Sequence, residues 1–295
     1  MPTEPVGTVA ATMPPAQPSI YSLLDSLPSV KIVDIGANPI DGDPPYALLL
    51  RAGHAEVVGF EPNRDALEVL QQKKGPRETY LPHAIGDGRR HTLHITQAPG
   101  MTSLLAPNPD LLNLFHGFPE WSRVARTEDV DTVRLDDVPE TAGVDLIKID
   151  IQGAELMALS NAPQRLASAL VVQTEVEFVP MYKDQPLYGD IERLLRGHGF
   201  LLHRFEPLTS RVVKPMLLGG NIRAGFNQVL WTDAIFVRDP TRLDALDEGQ
   251  LLRTAILLHE CWGSIDLALH FLLAHDKRTG QGLGQHYFAK ITGRA

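Results

Sequence analysis

The sequence predicts an α/β fold: a mostly parallel sheet with an antiparallel last strand, followed by a C-terminal helical extension. Three observations lead there. Short β-rich apolar runs alternate with amphipathic stretches of helical period, as in βαβ units. The last two such runs, Phe200 to Phe205 and Val229 to Val237, read as an antiparallel pair. Beyond Asp239-Pro240 only helical patterns follow. At 295 residues and 43% hydrophobic content, the chain can bury a core of one large or two small domains.

In chain order, Ile20 to Leu27 is a short helical candidate that ends before Pro28. Lys31-Ile32-Val33 opens the first strand, and Val57-Val58-Gly59-Phe60 is the second. Ala66, Leu67 and Leu70 then share one face of a helix capped by Asn63 and stopped by Lys73-Lys74-Gly75-Pro76. Val144 to Ile149 and Leu170 to Val176 are further strands, with a helix over Ala154 to Ser160 between them. Ile191, Leu194 and Leu195 mark a helix closed by Gly197 and Gly199. Leu251 to Leu258 and Ile265 to Leu273 are helical, and serve as an appendage packed on the sheet, a homodimer contact or a cap. The expected partition is a Pro-rich disordered tail over residues 1–18, a sheet domain over 19–240 and the helical extension over 241–295.

Composition narrows the function. A net charge of −9 offers no basic face for nucleic acid. The one cysteine, Cys261, excludes an internal disulfide framework or a thiolate zinc cluster, and fits a reducing cytoplasm. No apolar run is long enough to span a bilayer, and the proline-rich N-terminal stretch has no secretion-signal character. The expectation is a cytoplasmic chain with a small-molecule partner.

In an open parallel sheet, ligands bind at the carboxyl ends of the strands. After the first strand come Asp34, Gly36, Ala37 and Asn38, where a glycine lets backbone N–H groups approach a ligand. After the second comes Glu61, an acid suited to the two hydroxyls of a ribose. Together they point to an adenosine-containing cofactor. There is no G-x-G for a pyrophosphate. An acid inside the turn repels phosphate and attracts an ammonium group, which favours S-adenosylmethionine. After Asn38, Pro39 to Pro45 reads as an inserted, proline-stiffened loop that delays the next helix to about Tyr46.

Later motifs agree. PHAIGDG (Pro82 to Gly88), VRLDDV (Val133 to Val138), IKIDIQGAEL (Ile147 to Leu156), QTEVEF (Gln173 to Phe178), YKDQPLYGDIERLLRGHGF (Tyr182 to Phe200) and VLWTDAIFVRD (Val229 to Asp239) follow in order. From about Val30 to Asp239 this series resembles the FkbM-type methyltransferase family, most specifically in IDIQGAE. The resemblance implies a Rossmann-like class I methyltransferase fold with a seven-stranded sheet, S-adenosylmethionine as cofactor, and mainly O-methylation. By position it implies cofactor contacts from Asp34, Gly36, Ala37 and Asn38 at the methionine end. It also implies contacts from Glu61, Pro62 and Asn63 at the ribose, and from His83, Ala84, Ile85 and Asp87 at the adenine. Asp150 and Ile151 lie beside the sulfonium, with Gln152 and Tyr182 toward the acceptor. Where the family generally has a glycine two residues after the asparagine, this chain has Ile40.

A hydroxyl acceptor needs a base, and the candidates are Asp150, Glu175, Glu177 and His203. Glu175 and Glu177, two apart on a strand, share one face. With Asp150 they can also hold a divalent cation through oxygen ligands, an option ranked below a metal-free site. His91 and His94, three apart in a strand, point to opposite faces. Phe118 and Trp121 line an acceptor pocket or fill core space. Residues 207–226 read as a mobile flap over the acceptor. The acceptor itself is a hydroxyl on a sugar, polyketide, glycolipid or other small metabolite. The rivals are an NAD(P)-dependent oxidoreductase on a related sheet, or a non-catalytic cofactor-binding module.

Overall fold

The computed structural model describes residues 18–38 and 42–293. The tail expected over residues 1–18, save Pro18, and residues 39–41 of the inserted loop lie outside the described residues.

The elements in chain order are α1 (Ile20–Leu23), β1 (Val30–Ile35), α2 (Ala47–Arg51), β2 (Ala55–Phe60), α3 (Arg64–Lys73), β3 (Glu78–Leu81), β4 (Ala84–Ile85), β5 (Arg90–Thr96), α4 (Pro109–Leu112), α5 (Phe118–Trp121) and β6 (Val124–Val133). They continue as β7 (Leu146–Ile149), α6 (Glu155–Ser160), α7 (Pro163–Ser168), β8 (Val171–Glu177), α8 (Tyr188–Gly197), β9 (Phe200–Phe205), β10 (Thr209–Arg211), β11 (Gln228–Arg238), α9 (Glu248–Trp262), α10 (Ile265–Thr279) and α11 (Leu283–Thr292).

The main sheet runs β10-β11-β8-β7-β1-β2-β3, with β9 also paired to β11. Strands β8, β7, β1, β2 and β3 are parallel, and β11 is antiparallel to β8. Eight strands thus fill seven positions, because β9 and β10 share the outer edge of the long β11. Parallel strands covered on both faces need near-continuous apolar runs, and every residue of β8 is buried.

The expected strand ends hold, and the differences have local causes. The third strand of the sheet is β3, while Ala84-Ile85 leaves it to pair with β6 in a second sheet, β4-β6-β5. Pro82 lies between them and has no N–H with which to continue a ladder. The first helix stops at Leu23, short of Leu27, ahead of Ser26 at φ +59°. Asn63 caps α3, its side chain accepting from the Asp65 and Ala66 N–H groups. The proline loop yields to α2 with Tyr46 as its cap residue. Four helices (α4, α5, α7 and α11) had no counterpart in the sequence reading.

Two apolar layers sandwich the sheet. One face carries Val33, Ile35, Ile147, Ile149, Val172 and Phe236 against α6, α7 and α8. On the other, Val30, Ile32, Leu146, Val171 and Val237 pack under the helical extension, with Leu251, Phe271 and Tyr287 fully buried. Each such side chain stabilises by about 1.5–3 kcal/mol relative to exposure. Helix α9 begins with a capping box, Asp247 with Gln250, and ends on Gly263 in the left-handed conformation. Arg253 of α9 donates to Asp145 at 2.8 Å, just ahead of β7. The extension therefore packs on the amino-terminal half of the strands, away from their functional ends.

A third apolar cluster, Met101, Leu112, Phe115, Phe118, Met181, Tyr182 and Leu230, forms a cap around α4 and α5. Phe118 belongs to it as core. The segment expected as a mobile flap contains β10, and is tied to the cap: the Lys214 N–H donates to the Leu114 carbonyl at 2.9 Å.

Candidate active site

The carboxyl ends of β1, β2, β7 and β8 gather most of the expected polar residues. Parallel register sets Asp34 beside Lys148, and Lys148 beside Gln173, so all three point to one face. Two residues further along β8, Glu175 stands opposite Asp233 of β11, and Glu177 opposite Trp231.

At the tip of β1, Asp34 is 3% exposed, accepts from Tyr46 Oη at 2.5 Å and lies 3.2 Å from Lys148 Nζ. Burial works against the charge of Lys148, but Asp34 and then Asp150 outweigh it and hold the ammonium above its ordinary range. Within the protein Asp34 thus pairs with Lys148 and Tyr46 and anchors the turn after β1. The N–H groups of Gly36 and Ala37 are likewise taken, both donating to the Phe60 carbonyl. Gly36 is required for another reason. Its φ is +81°, and a Cβ there would lie 2.0 Å from the carbonyl oxygen of Asp150. The glycine permits the crossing of β1 and β7, and Asn38 continues the turn, partly exposed.

At the tip of β2, Glu61 is buried, and its Oε1 accepts from the Asn63 N–H at 2.7 Å. Burial pushes its carboxyl up, the Asn63 hydrogen bond opposes this, and Asp34 adds to it. Asn63 caps α3 with its side-chain oxygen and orients Glu61 with its backbone N–H, and Pro62 is exposed beside it. His83 lies near Phe60, with ring centroids 6.5 Å apart, and Ala84 and Ile85 follow in β4. Asp87 is committed to its own hairpin: it accepts from the Arg89 N–H at 3.0 Å and meets His91 Nε2 at 2.8 Å.

The turn after β7 is the most constrained point of the site. Gln152, a non-glycine residue, sits at φ +58°, and Gly153 follows at +99°. Gln152 Nε2 donates to Asp150 Oδ1 and to Glu175 Oε2, each at 2.9 Å. Its Oε1 lies 3.0 Å from Tyr182 Oη, which also lies 3.2 Å from the Met101 carbonyl and shares one proton between them. Ser103 Oγ donates to the Gln152 carbonyl at 2.6 Å. Gln152 and Tyr182 thus brace each other and the turn after β7. Tyr182 is fully buried under the cap, and the Gln152 amide is spent on the two carboxyls.

Behind them lies Glu155, whose Oε1 accepts from the Ile151 N–H at 2.8 Å. Burial and then Asp150 push its carboxyl up to about 7. Burial, Asp150 and Glu177 push Glu175 well above its ordinary value, and burial, Glu155 and Asp150 do the same to Glu177. Glu177 Oε2 is buried without a hydrogen-bond partner. Fully ionised carboxyls cannot share such a space, so the group holds protons among Glu155, Glu175 and Glu177 while half-exposed Asp150 opens to the surface. One oxygen each of Asp150, Glu155 and Glu175 lie within 4.8 Å of one another, near enough for a shared cation. The Gln152 amide nitrogen, however, already bridges Asp150 and Glu175 as a donor, so a cation and this amide compete for one place.

His203 does not join the site. Its Nε2 meets Ser264 Oγ at 2.7 Å in the α9–α10 connection, and burial lowers its basicity. A bulge in the β9–β11 pairing falls at this residue, which faces the helical extension. Sequence reasoning missed Lys148, Glu155 and Tyr46. Lys148 had a signal: a lone charge in the apolar strand LIKI requires a buried partner.

Comparison with known proteins gives consistent findings. The family model described as the methyltransferase FkbM domain matches residues 34–202. The 2-O-methyltransferase NoeI of Sinorhizobium fredii is 31% identical over 182 residues, 57% of this chain and 69% of that protein. A methyltransferase FkbM from Methylobacillus flagellatus aligns at 17% identity with a TM-score of 0.41, over 73% of this chain and 45% of that one. This chain thus spans under half of the length of that structure. Magnesium protoporphyrin IX methyltransferase (ChlM) from Synechocystis PCC 6803, solved with bound SAM, aligns at 14% identity and a TM-score of 0.37, over 75% and 76% of the two chains. None of the described helices is long and apolar enough to cross a membrane.

Proposed function

The chain belongs to the FkbM methyltransferase family, and from that premise we propose that it moves a methyl group from S-adenosylmethionine to a hydroxyl of a small acceptor. A sugar hydroxyl is the first choice, because the relative NoeI is named a 2-O-methyltransferase. When bound, S-adenosylmethionine supplies a methyl group on a positively charged sulfur.

The residues fit that cofactor. Glu61 Oε1 is held by the Asn63 N–H, which leaves Oε2 for the two ribose hydroxyls. Asn38 follows the end of β1 and Ile151 the end of β7, two strands paired in parallel, so both stand at the carboxyl edge of the sheet. The pairing of Asp34 with Lys148 leaves this end with no excess charge to repel a zwitterionic amino-acid group.

The observation that carries the reading is the carboxyl group itself. Asp150 stands at the opening, and protonated carboxyls crowd behind it. A carboxylate within reach of the acceptor can take the hydroxyl proton as general base. Asp150 takes the hydroxyl proton on its free oxygen, Oδ2, while the Gln152 amide holds Oδ1. Glu175 fixes the other side of that amide. Gln152, Tyr182 and Ser103 hold Asp150 at one angle, which is what an in-line displacement needs. The test is transfer of labelled methyl from S-adenosylmethionine to a panel of hydroxylated saccharides and glycolipids. Transfer that is lost in Asp150→Asn supports the assignment; undiminished transfer in Asp150→Asn removes Asp150 as the base.

A further inference from the structure

The segment joining β10 to β11 has a surface unlike the rest of the molecule. Of thirteen exposed large apolar side chains among the described residues, five lie on it, Val213, Met216, Leu217, Ile222 and Phe226, and Leu208 stands just ahead of β10. The segment does not hang free. His116 Nε2 meets the Met216 carbonyl at 2.9 Å, and Gly225 backs onto Ser210, where a Cβ would lie 2.9 Å from the Ser210 hydroxyl. Apolar groups held out in this way are not waiting to fold inward; a concentrated patch of them marks a contact surface.

Two arginines belong to this surface, Arg211 at the end of β10 and Arg223 in the segment itself. The Arg211 guanidinium covers Trp231 at 5.2 Å from the ring centroid, and Arg223 covers Trp121 at 5.4 Å. The two rings are linked through Phe118, which packs edge-on to Trp121 at 5.2 Å and to Trp231 at 6.3 Å. Neither guanidinium meets a carboxylate among the described residues, in a chain of net charge −9. Arg211 Nε is buried with no hydrogen-bond partner. Burial, and then Arg223, depress the proton affinity of Arg211, the sign of two cations sharing a site without a counter-charge.

The pair is joined to the carboxyl site by register. Trp231 is the direct cross-strand neighbour of Glu177, on the same face of β11 and β8. The order across the surface is therefore carboxyl group, tryptophan, arginine pair, apolar segment.

We infer that this surface is the second half of the acceptor site and takes an amphiphile, with a phosphate on Arg211 and Arg223 and an apolar chain along Ile222 and Phe226. Phosphate is favoured over carboxylate because two adjacent guanidiniums are balanced by a group of about two negative charges. The inference rests on the methyl-transfer reading and names its acceptor class: a phosphate-bearing amphiphile whose hydroxyl reaches Asp150 from the Trp231 side.

The test is calorimetric titration of the full chain with decyl phosphate below its micelle concentration, beside inorganic phosphate and neutral decyl glucoside. Decyl phosphate should bind one to one, and roughly tenfold or more tightly than either control, since each control lacks one half of the contact. Arg211→Gln with Arg223→Gln should lose that advantage over decyl glucoside, and Ile222→Ser with Phe226→Ser the advantage over inorganic phosphate. Thermal unfolding establishes that each variant is folded; should the arginine pair fail to fold, the serine pair and the two control ligands carry the same comparison. Equal binding of decyl phosphate and decyl glucoside by the wild type would overturn the inference. So would cosedimentation with anionic phospholipid vesicles without saturable binding of monomeric decyl phosphate, which would make the surface a membrane contact. S-adenosylhomocysteine titrated in parallel reports on the methyl-transfer reading alone, because its binding needs neither arginine.

Discussion

Replacing Glu155 by glutamine tests the crowded carboxyl group without any knowledge of the acceptor. The buried carboxyl of Glu155 is raised from 4.5 to about 7, first by burial and then by Asp150. Below about pH 4.5 it is protonated in both folded and unfolded chains and costs nothing. As pH rises, the unfolded chain releases the proton and the folded chain keeps it, so stability falls until the folded carboxyl ionises near pH 7. At 1.36 kcal/mol per pH decade, the interval from 4.5 to about 7 amounts to about 3 kcal/mol. Glutamine keeps the oxygen that accepts from Ile151 but has nothing to ionise. Thermal or denaturant unfolding of wild type and Glu155→Gln at pH 4.5 and pH 8 should therefore show the variant gaining about 3 kcal/mol on the wild type between the two. The gain should be larger still if relief of Glu175 and Glu177 adds to it, since Glu155 raises both. A difference between the two proteins that is the same at both pH values would refute the proton-sharing account.

Other outcomes follow from the same geometry. Lys148→Met leaves Asp34 buried with only Tyr46 as partner, and should cost about 3–5 kcal/mol in denaturant unfolding. Gly36→Ala drives a methyl group against the Asp150 carbonyl at a positive φ, and should cost more than the roughly 1 kcal/mol of an ordinary glycine-to-alanine strain, read as a lowered melting temperature. Tyr182→Phe frees the Gln152 amide from one of its holders, so kcat should fall while the affinity for S-adenosylhomocysteine holds.

How far the sequence could be read depended on the range of the physics involved. The positions of β1, β2, β7, β8, β9 and β11 follow from local apolar runs, and with them the carboxyl ends carrying Asp34, Glu61, Asp150 and Glu175, whereas β3, β6 and β10 carried no such signal. What was not legible is pairwise and distant. Asp34 looked free for a ligand because Lys148, 114 residues away, is invisible as a partner until β1 and β7 are adjacent. The contact between Gln152 and Tyr182 forms only once the cap folds over β7 and β8. His203 was placed by its position at a strand end, yet a bulge against β11 and the hydroxyl of Ser264 decide where it points. Glu155 sat inside the IDIQGAE motif, where its burial in the first turn of α6 was not apparent. The unpaired arginines of the segment before β11 could not be told from solvated surface charge.

The most direct measurement of the central claim is a calorimetric titration of S-adenosylmethionine into the wild-type chain and into Glu61→Ala. The account predicts saturable one-to-one binding by the wild type. It also predicts a loss of about 10- to 100-fold in the variant, as expected for two hydroxyls deprived of a charged acceptor worth roughly 1.5–3 kcal/mol. No binding by the wild type, or equal affinity in the two proteins, would contradict it.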